Sequence, residues 1–311
     1  MTMPVAFSTL DVRTADGSAD SYLARPDDGA THPGVLFYMD AYGLRPCLRE
    51  MMEAIAGNGF IVLAPNVFYR TGRAPVLPMP ESADPAAHAK FFAALGPVRA
   101  AFTPEKAMQD AQTYLEWLNA AGFVRPGPVA VTGYCMGGKL ALRTAGAFGN
   151  RIAAAASFHG GRLAVDEQPD SPHHGAAGIT AELLIAHASQ DDSMPPEQIT
   201  RLDKTLDAAH VHYTSVVYPN TRHGFTMRDT PVFGQAAYDR HLTDLLALLR
   251  EPSRARSLRI ATGTHRPGPI AGQDDLPGRS MRSTDGVDLR RRQGRERSNH
   301  RTRAAGRVGT R

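Results

Sequence analysis

A mostly parallel sheet with helices on both faces is the fold class that the sequence predicts, and three observations predict it. Short, wholly apolar runs suited to buried parallel strands alternate with longer runs of helical character. A strand–turn–helix signature with glycines around one cysteine sits near the middle of the chain. The residues best suited to assist that cysteine lie further on, each just after a predicted strand.

In chain order, the apolar runs predict strands over Gly34–Met39, Phe60–Ala64, Pro128–Gly133, Ala153–Phe158, Glu182–Ala188 and Tyr213–Tyr218. Helices are predicted over Cys47–Gly57, Pro104–Ala121, Met136–Phe148, Pro196–Ala209 and Pro231–Leu249. The Thr103-Pro104 pair supplies an N-cap hydroxyl and a proline at the first helical position, and Gly122 ends that helix. Between Arg70 and Pro104 six prolines predict a long irregular insertion over the C-terminal edge of the sheet, where α/β enzymes bind ligands.

Composition divides the chain in two. Residues 251–311 hold 15 Arg, no Lys and 6 Asp plus Glu, a net of +9, which leaves 1–250 at −5 within the overall +4. The last aromatic residue is Tyr238. A segment so poor in apolar surface cannot offset its ordering entropy, so 1–250 is expected to be the folded domain and 251–311 a disordered basic tail. Arginine-rich tails attract phosphate, but this one offers no aromatic to stack on a base, and nucleic-acid binding is not expected. Two cysteines, Cys47 and Cys135, suggest no disulfide framework and fit a reducing compartment. The N-terminus lacks the basic and apolar regions of a signal peptide, and nowhere do eighteen apolar residues run together. A cytoplasmic protein without membrane association is expected. It should be a monomer, with a dimer left open.

Gly133-Tyr134-Cys135-Met136-Gly137-Gly138 carries the most chemistry. It is the G-x-S-x-G nucleophile elbow with sulfur in place of oxygen. A strained apex needs very small residues two places before and after it, and it lifts the thiol out of the sheet. The amide of Met136, at a helix N-terminus, can face an oxyanion. A buried structural cysteine in a glycine-rich turn is the alternative.

A nucleophilic cysteine needs a base and a group that orients it. After the strand ending at Ala188 comes Ser189-Gln-Asp-Asp-Ser-Met-Pro-Pro196, and after Tyr218 comes Pro219-Asn-Thr-Arg-His-Gly-Phe225. The order Cys135, Asp191, His223 is that of a triad on an α/β-hydrolase sheet, with Asp192 as the alternative acid. Adjacent His173-His174 and the His210-x-His212 pair lack ligand spacing, and no metal is expected. His159-Gly160-Gly161, after a strand, reads as a structural turn, with a place in the pocket lining as the alternative; Cys47 reads as core and Trp117 as packing.

With these residues in view, the chain from about 5 to 250 resembles the dienelactone hydrolase (carboxymethylenebutenolidase) family of α/β hydrolases. Met39-Asp-Ala-Tyr-Gly-Leu-Arg45, Ala64-Pro-Asn-Val-Phe-Tyr-Arg70, the cysteine elbow, the Asp191 loop and Arg222-His-Gly-Phe225 carry the resemblance. It implies a cofactor-free, thiol-dependent hydrolase whose substrate is a small ester or lactone, with Cys135, Asp191 and His223 as triad. It also implies that Ala41 completes the oxyanion hole and that Asp40 contacts the resting thiol, although the family pattern has Glu there. Tyr134 joins these as a residue contacting thiol or substrate. The family's substrate-binding arginines have Arg70 and Arg228 as their nearest counterparts, neither in register, which weakens any expectation of a dienelactone substrate. A general carboxylesterase or thioesterase, or a non-catalytic scaffold whose tail binds acidic partners, are the other readings.

Overall fold

Two strands that apolar runs do not reveal open the chain. β1 (Val5–Thr14) and β2 (Gly17–Pro26) form an antiparallel hairpin in full register from Val5↔Pro26 to Thr14↔Gly17. β1 is mostly exposed or half-buried and β2 interrupts its apolar residues with Asp20, Ser21 and Arg25, so neither makes the continuous apolar run by which the other strands are recognised. The structure is a computed structural model describing residues 2–80 and 84–262, with side chains described to residue 250 except that of Pro85.

The predicted strands follow with shifts of a residue or two at most ends: β3 (Gly34–Tyr38), β4 (Ile61–Pro65), β5 (Val129–Tyr134), β6 (Ile152–Phe158), β7 (Glu182–Gln190) and β8 (Tyr213–Arg222). They complete an eight-stranded sheet in the order β1-β2-β4-β3-β5-β6-β7-β8. β2 pairs antiparallel with β4, and every pairing from β4 to β8 is parallel. All five residues of β3 and of β4 are buried, as strands covered on both faces must be.

The helices are α1 (Pro46–Ala56), α2 (Pro85–Ala101), α3 (Pro104–Ala120), α4 (Met136–Phe148), α5 (Pro196–Ala208) and α6 (Gln235–Thr262). α2 corrects the expectation of an irregular insertion. Asp84 caps it, accepting from the Ala86 amide at 3.0 Å, and Pro85 and Pro104 each stand in the first turn of a helix, where a missing N–H costs nothing. Counting prolines therefore mistook two helix starts for breakers; of the six, Pro97 alone lies in a helix interior. Helix α6 begins four residues later than predicted and runs past residue 250. The expected disorder of the tail beyond Thr262 lies outside the described residues.

From β3 the chain turns to one side, to β4, and from β5 to the other, to β6. The carboxyl ends of β3 and β5 thus flank a topological switch point, the place where open α/β sheets bind ligands.

Candidate active site

Cys135 sits at that switch point, on the apex between β5 and α4, with φ 56° and ψ −119°. Positive φ is costly for a residue with a side chain, so the surroundings must impose it. They do so by close approach. A Cβ on Gly133 would fall on the Gly137 carbonyl, and one on Gly137 would lie 2.5 Å from the carbonyl oxygens of Tyr38 and Met39. A Cβ on Gly138 would meet the Ser157 hydroxyl. The apex is pinned by the Cys135 amide donating to the Phe158 carbonyl at 3.1 Å, and by the Gly138 amide donating to the Cys135 carbonyl at 3.0 Å. Met136 is the first residue of α4, where an amide has no intrahelical acceptor.

Asp191 follows β7 and is fixed before it meets any histidine. Its Oδ1 accepts from the Ser193 amide at 2.9 Å and from the Ser193 hydroxyl at 2.6 Å. Its Oδ2 lies 2.7 Å from Nδ1 of His223, which directly follows β8. Of the two candidate acids, Asp191 has a side chain only 3% exposed and meets the histidine, whereas Asp192 faces solvent. His223 and Cys135 line the same cavity. Burial opposes its charged form, but negative charge on Cys135 and the hydrogen bond to Asp191 outweigh it and raise the imidazole to about 10. Burial likewise disfavours the charge on Asp191, yet His223 and Ser193 hold it below the ordinary carboxylate value. The arrangement favours the charged imidazolium at His223.

Past the end of β3, Asp40 and Ala41 join the same cavity, which has a volume of about 400 Å³. Both oxygens of buried Asp40 are engaged. Oδ1 accepts from Arg45 at 2.6 Å and from the Tyr42 amide at 3.1 Å, and Oδ2 accepts from Arg45 at 3.0 Å. Burial raises the Asp40 carboxyl even so, against the pull of Arg45. The other edge of the Arg45 guanidinium holds Asp229, at 2.6 and 3.1 Å, just beyond the His223 turn. One arginine thus ties the Ala41 loop to the histidine loop.

Three candidates lie elsewhere. Tyr134 is fully buried, stacks on Phe158 and hydrogen-bonds His241 of α6 at 3.0 Å, because it is the last residue of the strand and points into the core. Arg70 does not line the cavity; it is held by Asp110, at 2.6 and 2.9 Å, and by Asp16 at 2.7 Å. Arg228 lies over the Phe233 and Tyr238 rings rather than in the cavity lining.

Sequence reasoning missed several wall residues. Tyr42 hydrogen-bonds His88 at 2.9 Å, and Phe92, one turn further along α2, is 46% exposed into this region. The i, i+4 spacing of His88 and Phe92 was the available signal, hidden once α2 was read as irregular. His159, for which pocket lining is the alternative to a structural turn, does line the cavity, at φ 40° with its ring 5.3 Å from that of His223. Arg222 is the cation in the lining, and it is exposed. Among the described residues no group of three or more His, Cys, Asp or Glu could hold a metal ion, and no helix is long and apolar enough to cross a membrane.

Comparison with known proteins gives a consistent picture. The model of the dienelactone hydrolase family matches residues 19–253. A Salmonella typhi protein, named as a candidate carboxymethylenebutenolidase, is 27% identical over 222 residues, covering 70% of this chain and 77% of its own length. A hydrolase of Aspergillus violaceofuscus, pyvD, is 26% identical over 69% of this chain and 78% of its own. Among solved structures, a candidate dienelactone hydrolase from Klebsiella pneumoniae superposes with a TM-score of 0.69 at 19% identity, over 79% of this chain and 98% of that one.

Proposed function

Because the chain belongs to the dienelactone hydrolase family and is a hydrolase of carboxylic ester bonds, we propose that it cleaves small esters or lactones through a thioester on Cys135. The observation that carries this reading is the 2.7 Å contact of His223 with Asp191, in one cavity with Cys135 at a strained elbow. The Cys135 thiolate, paired with the His223 imidazolium, attacks the carbonyl carbon, and the amides of Met136 and Ala41 receive the developing oxyanion. One such donor contributes roughly 3 to 4 kcal/mol to lowering the barrier. Collapse of the tetrahedral intermediate expels the alcohol, or opens the lactone, with the imidazolium giving its proton to the leaving oxygen. Neutral His223 then takes a proton from water, the water attacks the thioester, and the acid leaves as the thiolate re-forms.

Asp40 acts in this scheme through the loop it shapes, with Arg45 donating to both of its oxygens and the Tyr42 amide to one. With Arg70 and Arg228 engaged elsewhere and Phe92, Met227 and Val232 in the wall, a substrate with an apolar body suits the cavity better than a compact dicarboxylate. The reading also accommodates a general carboxylesterase or thioesterase, which a panel of lactone, oxyester and thioester substrates separates.

The test uses a small activated ester and a lactone with wild type and Cys135→Ala. Turnover should disappear in the variant while the melting temperature is retained, and rapid quenching of wild type should reveal an acyl adduct on Cys135 by mass. Retained turnover in Cys135→Ala overturns the mechanism.

A further inference from the structure

A second cavity, of about 370 Å³, adjoins the elbow helix. It shares no lining residue with the catalytic cavity, and the elbow divides them, Cys135 facing one and Met136 the other. Three cations line it: Arg99 in the last turn of α2, and Lys139 and Arg143 on α4. A single carboxylate in the lining, Asp170, faces them.

That carboxylate is too little for the three. Asp170 meets Lys139 Nζ at 3.0 Å and reaches Arg143 only at 3.6 Å. Arg143 donates otherwise to the Pro104 carbonyl at 3.1 Å. Burial disfavours its charged form, and the pull of Asp170 and the nearby Glu105 does not make up the difference. Arg99 enters no ion pair among the described residues. The remaining walls are apolar, with Phe68 and Phe102 set edge to face at 6.1 Å and Leu140 beside them. Excess positive charge on one part of an apolar cavity is the complement of an anion carried on an apolar body.

We propose that this cavity is a binding site for a small amphiphilic anion, a carboxylate or phosphate on an aromatic or aliphatic body, held by Arg99, Lys139 and Arg143. Acids released by ester hydrolysis belong to this chemical class. The site itself stands on the geometry of α2 and α4 and does not depend on the hydrolytic reading. α2 reaches both cavities, giving His88 and Phe92 to one and Arg99 to the other.

The experiment is titration calorimetry of the full chain after alkylation of Cys135 with N-ethylmaleimide, which closes the catalytic cavity; Cys47 is buried and out of reach. The probes are benzoate, phenyl phosphate and the neutral isostere benzamide. Benzoate or phenyl phosphate should bind saturably, the tighter of the two identifying the head group, and benzamide at least about 10-fold more weakly. Arg99→Ala, at an exposed position, and Lys139→Met should each weaken the anion by about 5-fold, corresponding to loss of one partly screened charge contact. Arg222→Ala, at the catalytic cavity, should leave it unchanged. The proposal is overturned if no anion saturates by about 10 mM. It is equally overturned if alkylation or Arg222→Ala removes binding while Arg99→Ala and Lys139→Met do not.

Discussion

Two buried arginines in this molecule are built almost alike and serve different ends. Arg45 and Arg70 have side chains 8% and 10% exposed. Each forms a bidentate pair with a buried aspartate, Asp40 or Asp110, and each reaches a second, partly exposed one, Asp229 or Asp16. Each also lies over a tyrosine ring, Tyr42 or Tyr69. Only the position in the fold differs. Arg45 joins the two loops that carry Ala41 and His223, whereas Arg70 joins the β1–β2 turn to α3. Asp191 gives the contrast its point. It is a third buried carboxylate at the same sheet edge, and it is held by Ser193 and His223 instead of by an arginine. A carboxylate saturated by a guanidinium organises structure; one left to a histidine can work on a proton.

That contrast predicts the largest effect at Asp191. Asp191→Asn should lower kcat by roughly four orders of magnitude, because the amide can stabilise neither the imidazolium nor the needed tautomer. Its melting temperature should also fall at neutral pH, because His223 loses a partner that holds its charge, and Asp192→Asn should leave both kcat and melting temperature as they are. Steady-state ester hydrolysis with thermal melts separates the cases, and a small loss of kcat in Asp191→Asn would break the comparison at once.

The arginines come next. Arg45→Met and Arg70→Met should each destabilise by about 3 to 5 kcal/mol, since each leaves a buried aspartate unpaired. They should part on activity: Arg70→Met keeps kcat/KM for the folded fraction, while Arg45→Met loses kcat. In the double variants Arg70→Met/Asp110→Asn and Arg45→Met/Asp40→Asn, removing the stranded charge should restore much of the stability, but only the Arg70 double variant should be fully active. Equal activity losses in both would show that Arg45 has no special place in the site.

How these arginines differ could not be read from the sequence. Arg45 meets Asp229 across 184 positions, so neither residue's neighbours announce the pairing. Arg70 instead lies only near the place of a substrate-binding arginine in the family pattern, out of register with it, and its neighbours in sequence do not announce Asp110 either. The elbow was legible because steric exclusion writes itself as glycine at fixed offsets. Asp191 and His223 were legible because this topology delivers them after successive strands. Tyr134 shows where such reasoning stops: it belongs to the motif, but the last strand residue turns its ring toward α6 rather than the cavity.

A smaller effect concerns pH. His223 is raised in the folded state to about 10 from an ordinary value of 6.5. A raised basic group contributes stability that is fully present below its unfolded value and is lost as pH rises through its folded value. The advantage of wild type over His223→Gln should therefore be greatest at or below pH 6.5 and shrink progressively toward pH 10. Arg45 keeps its proton throughout that range, so the Arg45→Met difference should show no such trend. Paired melts across these values test both statements. A His223 advantage that stays constant or grows with pH would mean that the imidazole is neutral in the resting site.

The smallest effect divides the Arg45 clamp itself. On its Asp40 side the carboxylate is 4% exposed, and on its Asp229 side 32%. Water already screens the second pair, so Asp229→Asn should cost no more than about 1 kcal/mol of stability. Arg45 would remain fixed by Asp40 and by the Gly43 carbonyl at 3.1 Å, and the Ala41 loop with it. What is released is the segment just beyond His223, and kcat should fall only a few-fold, within what about 1 kcal/mol allows. If Asp229→Asn instead matches Arg45→Met in lost kcat, the clamp acts through the histidine loop. The Asp40 side would then only anchor the arginine, much as Asp110 anchors Arg70.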